Sequence, residues 1–122
     1  MGTNFGEDTV SFDTPGPVLV HTGACQIKGI SGYNTLTTLA VLWIFDLGRV
    51  PILGVDIPKW QFPLAFNSTA NTLTPSFDAT YGSGLKCDYG LAYAICTTTS
   101  DAGSTAVSAH KVQGTIDWKV KT

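Results

Sequence analysis

Two short runs, Thr37–Asp46 (TTLAVLWIFD) and Gly90–Thr98 (GLAYAICTT), are apolar on both faces of an extended chain, and they limit the fold more than anything else in the sequence. In the second run, Leu91, Tyr93 and Ile95 point opposite to Ala92, Ala94 and Cys96. A strand of that kind belongs in the middle of a sheet, with protein on each side. The first run also fits a helical stripe through Leu36, Leu39, Ala40, Trp43 and Ile44. Its shortness, its β-branched and aromatic content and the Asp-Leu-Gly turn that follows favour a central strand. Two such strands in one chain imply two stacked sheets, or one sheet with a partner subunit on its back.

Lys111–Val120 behaves differently. Val112, Gly114, Ile116, Trp118 and Val120 alternate with Lys111, Gln113, Thr115, Asp117 and Lys119. That period of two marks a strand with one buried and one wet face, and it places Trp118 in the core. Further strands are expected at Thr9–Asp13, Val18–His21, Cys25–Tyr33 and Ser76–Thr80, with Asn34 and Tyr81–Gly84 as turns. Val50–Ile57 and Lys59–Phe66 form a proline-punctuated pair. Pro51, Pro58 and Pro63 assign it to sheet edges or bends, because proline cannot donate to a ladder. About eight short strands at roughly 8–12-residue spacing predict an antiparallel β-sandwich, Ig-like or jelly-roll in connection. Residues 1–17 are expected to be an N-terminal arm, ended by Pro15-Gly16-Pro17, and residues 18–122 the sandwich domain.

The composition narrows the functional classes. Of 122 residues only 13% are charged, about half the usual share of roughly 25%. The deficit suits a subunit that covers much of its surface with neighbours. A net charge of −2 with scattered Lys and Arg argues against nucleic acid as a partner. No apolar run approaches the ~20 residues needed to cross a bilayer, and the first residues lack a signal-peptide pattern, so a soluble product of a cytosol is expected. In that compartment Cys25, Cys87 and Cys96 are read as free thiols, with a Cys87–Cys96 bridge left open for an oxidising medium.

No catalytic constellation emerges, and the chain is expected to be neither an enzyme nor a holder of cofactor or metal. His21 and His110 lack partners at ligand spacing. Cys25 near His21 reads as a core thiol beside a surface histidine. The Asp residues sit singly at turns, and an ion site at Asp101 needs oxygens from elsewhere to converge. Trp60 is the candidate anchor for another subunit, since tryptophan is enriched at interface hot spots. It is also a candidate platform for a glycan.

The chain resembles the small β-sandwich virion proteins of tailed bacteriophages, of the head-decoration or cement type. The residues that carry the likeness are Ile30-Ser31-Gly32-Tyr33-Asn34, then Trp43-Ile44-Phe45-Asp46 with Pro51, and then Gly90–Ile95. Thr97–Asp101, Thr105-Ala106-Val107 and the final alternating strand complete it. It covers roughly Cys25 to Val120 and is architectural, departing from the usual pattern at Gly48–Pro63. It implies a homotrimer, made in the host cytoplasm, on the outer surface of the head and bound to the major capsid protein. The rival, of another class, is a tail- or fibre-associated receptor-binding module that holds a host glycan through Trp60 or Tyr81. The interface candidates are Phe5 and Phe12 on the arm, Trp43 on the first two-faced run, and Trp60, Phe62 and Tyr81.

Overall fold

The computed structural model describes residues 7–12, 16–34, 40–64, 76–97 and 112–120. They form eight strands: β1 (Glu7–Phe12), β2 (Val18–Thr22), β3 (Cys25–Asn34), β4 (Ala40–Phe45), β5 (Trp60–Leu64), β6 (Ser76–Cys87), β7 (Gly90–Cys96) and β8 (Val112–Val120). Two antiparallel sheets, ordered β1-β8-β3-β6 and β2-β7-β4-β5, stack as a sandwich. The pairs β4–β5, β3–β6, β2–β7 and β1–β8 are nested like the rungs of one long hairpin. Successive rungs fall in alternate sheets, and the β3–β8 and β4–β7 pairings zip each sheet together. That order is the double Greek key of a jelly roll, which settles the connectivity.

Both two-faced runs are the inner strands of the second sheet. Leu42 and Ile44 on β4, with Leu91, Tyr93 and Ile95 on β7, face the interior. There they meet Cys25, Ile27 and Ile30 of β3, Cys87 of β6, and Val112, Ile116 and Trp118 of β8. Their alternate residues Val41, Trp43, Phe45, Ala92, Ala94 and Cys96 form a second buried cluster on the outer face, onto which Leu19, Leu47 and Leu53 pack. Leu47 and Leu53 come from the β4–β5 connection, which therefore folds back over the sheet. Trp43 is 0% exposed, so this interface candidate is a core residue with no surface left for a partner. The outer face of the first sheet is instead polar. Cross-strand bonds run from Thr9 Oγ1 to Asp117 (3.0 Å), between Ser31 and Thr115 (3.2 Å), and from Tyr33 OH to Gln113 Oε1 (2.5 Å).

Three local expectations change. Tyr81–Gly84 is not a turn: β6 runs through it, and the register jumps from Gly29↔Thr80 to Ile27↔Leu85. The flexible residues serve a wide bulge, where Gly84 adopts φ +85° against the Gln26 side chain. Asn34 closes β3, fully buried and opposite Val112. Val50–Ile57 forms no strand, because Pro51 has no N–H to give and Gly54 turns the chain at φ +84°. Glu7–Phe12 is no detached arm. It pairs with β8 as the edge strand of the first sheet, while Phe5 lies outside the described residues.

The thiols are also placed. All three are free and buried. Cys87 lies directly opposite Cys25 on the neighbouring strand and faces the interior, whereas Cys96 is on the outer face of the second sheet. That sheet separates Cys96 from Cys87, which removes a Cys87–Cys96 bridge.

Candidate docking tip

The connections β2–β3, β4–β5 and β6–β7 gather at one end of the sandwich, and Asp46 ties them together. It follows the last residue of β4, as the Asp-turn pattern of the sequence suggests. Its Oδ1 accepts from the backbone N–H of Tyr89 (2.7 Å) and Gly90 (3.2 Å), and its Oδ2 from that of Asp88 (2.9 Å). Lys59 Nζ lies 3.5 Å from Oδ2 and donates to the Lys86 carbonyl at 2.8 Å. Burial pushes the Asp46 carboxyl up, but the three N–H donors and Lys59 prevail and hold it below the ordinary carboxylate value. Gly23 N donates to the Tyr89 carbonyl (2.8 Å) and Thr22 Oγ1 to the Gly48 carbonyl (3.2 Å), so the β2–β3 turn joins the same plate.

From this plate the 46–59 connection folds back as a closed loop over the edge of the outer cluster. Its base is held by the buried Pro51 and Pro58 and by Lys59 N donating to the Ile44 carbonyl. Arg49 grips Asp56 with two parallel bonds of 2.7 and 2.6 Å. Asp56 Oδ2 also accepts Ile52 N at 2.7 Å, while Val55 N and Asp56 N both donate to the Ile52 carbonyl. Arg49 and then the Ile52 N–H hold the Asp56 carboxyl below its usual range. With its polar groups turned inward on one another, the loop presents aliphatic side chains outward. Val50, Ile52, Val55 and Ile57 are 52, 56, 71 and 69% exposed, and Tyr89 on the adjoining turn 72%. Leu47 and Leu53 turn back instead, onto the Trp43 cluster. Exposed apolar residues on a braced loop make this a candidate recognition surface.

No family model, curated protein or solved structure matches this chain.

The sequence-derived candidates divide. Trp60, Phe62 and Tyr81 come together on the flank formed by the edge strands β5 and β6, half-buried against the interior. The Phe62 and Tyr81 rings are 6.1 Å apart. Trp60 is not a bare platform for a sugar, since Lys59 Nζ lies 4.8 Å from its ring centroid. Phe12 ends β1 opposite Gly114, and its side chain lies outside the described residues. Residues 98–111, with Asp101 and His110, do as well. His21 stacks on Trp118 at 4.8 Å between ring centroids, while the hydrogen-bond partner of Cys25 is Cys87. Among the described residues no three His, Cys, Asp or Glu side chains converge as a metal site. The tip itself was missed by the sequence reading. Its one signal is the pattern Val50, Ile52, Val55, Ile57 around a proline and a glycine, which resembles an edge strand until its hydrogen bonds are known.

Proposed function

We propose that the protein is a structural component of a bacteriophage virion, a cement protein that decorates the outer surface of the head and docks on the major capsid protein through the 46–59 tip. The observation that carries this reading is the braced apolar tip on a sandwich whose other large apolar faces, among the described residues, are used internally. A loop already held in its bound shape loses little entropy on docking, so a small apolar contact suffices for each copy. The jelly-roll order is one that capsid proteins share with lectins and cupins, so the fold agrees with the reading without selecting it. The sequence resemblance supplies the rest. As a homotrimer the protein engages several capsid subunits at once, and avidity multiplies weak individual contacts. Because it binds only the assembled shell, it stabilises that shell by mass action.

The test is addition of purified protein to expanded heads that lack it, followed by co-sedimentation and by the temperature at which DNA is released. Binding and a raised release temperature are expected. Val55→Asp with Ile57→Asp abolishes both while leaving the unfolding temperature of the free protein within about 2 °C, since exposed substitutions are nearly neutral for folding. An unchanged release temperature with the wild-type protein refutes head decoration. Quenching of tryptophan fluorescence by host polysaccharide, lost on Trp60→Ala, points instead to the glycan-binding alternative.

A further inference from the structure

Cys25 opens β3 and Cys87 closes β6, and the two residues are direct antiparallel partners. Opposed residues in such a ladder have Cα atoms roughly 4.5–5.5 Å apart, within the roughly 4.4–6.8 Å range that disulfides span. Both side chains face the sandwich interior, and their thiols share a hydrogen bond. We infer that Cys25 and Cys87 are the two halves of an intramolecular disulfide that forms when the protein meets a low-molecular-weight disulfide in an oxidising medium.

The local chemistry is suited to the step. The Cys87 S–H donates to Cys25, which pulls the Cys25 thiol below its usual range against burial and the nearby Asp46 carboxylate. The same hydrogen bond pushes Cys87 up, as do burial, Cys25 and Asp46, with Lys59 opposing. One thiol of the pair, taken as Cys25, is the first nucleophile. Cys87 ends the edge strand β6, and opening of that edge gives a reagent access to thiols buried in the closed state. The Cys25 thiolate attacks one sulfur of the disulfide reagent and expels the other as a thiolate. Cys87 then loses its proton to solvent and attacks the Cys25 sulfur, expelling the second thiolate. Two protein thiols are oxidised and one reagent disulfide is reduced to two thiols. Cys96 takes no part. It lies beyond the second sheet, and burial raises its thiol to about 11. The inference is independent of the docking proposal.

Incubating the full chain with oxidised glutathione, quenching in acid, denaturing, alkylating and mapping peptides tests it with the unmodified protein. Cys25 and Cys87 should lose alkylation in parallel, and a Cys25–Cys87 linked peptide should appear while Cys96 stays fully alkylated. Cys96→Ala should still form the link, and Cys87→Ser should not. Full alkylation of Cys25 and Cys87 after oxidation overturns the inference. So does a link that includes Cys96, or a glutathione adduct at Cys25 that never resolves to the bridge.

Discussion

Replacing Asp46 with alanine is the sharpest probe of how the tip is held. The carboxylate receives three backbone N–H groups, two of them within 2.9 Å, and its side chain is only 12% exposed. A hydrogen bond to a charged group contributes roughly 1.5–3 kcal/mol. Three donors share two oxygens, and water reaches part of the site, so the low end of that range for the two short bonds is the appropriate figure. The expected loss is about 3 kcal/mol. The Lys59 contact at 3.5 Å adds almost nothing, as for other exposed pairs. With an unfolding entropy of roughly 2.1 cal/mol/K per residue, a 122-residue chain has about 0.26 kcal/mol/K, so the melting temperature should fall by about 12 °C at pH 7.

The acid dependence supplies an independent check. The folded carboxyl titrates below its unfolded value, so its contribution is complete above the unfolded value near 3.8 and is lost as pH falls through the folded one. Scanning calorimetry should therefore show a wild-type-to-Asp46→Ala gap that is full at pH 7 and narrows below about pH 4. Amide exchange of Asp88, Tyr89 and Gly90 should accelerate in the variant at neutral pH. A gap under 2 °C at pH 7, or one that persists unchanged in acid, would refute the assignment of Asp46 as the tie between the connections.

Two further substitutions separate backbone crowding from core packing. A Cβ at Gly90 would meet the Leu47 carbonyl oxygen and lie 2.6 Å from that of His21, both rigid backbone, so Gly90→Ala should cost about 3 kcal/mol or prevent folding, read by urea denaturation. Trp43→Ala should cost roughly 3–5 kcal/mol, as for other large core residues, and more than Trp60→Ala, whose ring is only half-buried. Equal urea midpoints for the two tryptophan variants would place Trp43 back at the surface.

Which residues become strands, and which strands lie inside a sheet, was legible in the local pattern. Thr37–Asp46 and Gly90–Thr98 are apolar on both faces, and within them Ala40–Phe45 and Gly90–Cys96 became β4 and β7. Lys111–Val120 alternates, and it turned Val112, Ile116 and Trp118 inward. Periodicity is carried by neighbouring residues, so it can be read before any partner is known. What covers those faces cannot be read that way. Leu53 meets the Trp43 cluster only because the β4–β5 connection folds back, and Cys25 meets Cys87 only because β3 and β6 are one rung of the roll. Gly82, Ser83 and Gly84 have turn chemistry, yet the pairing of β6 with β3 on either side of them made a bulge instead. Likewise, Asp46 became a tie when the β6–β7 turn, more than forty residues away, brought it three N–H groups. Local sequence determined the strands and their inward faces. The strand order, the covered back of the second sheet, the opposed thiols and the exposed tip rest on pairings between distant segments, and only the tertiary structure decided those.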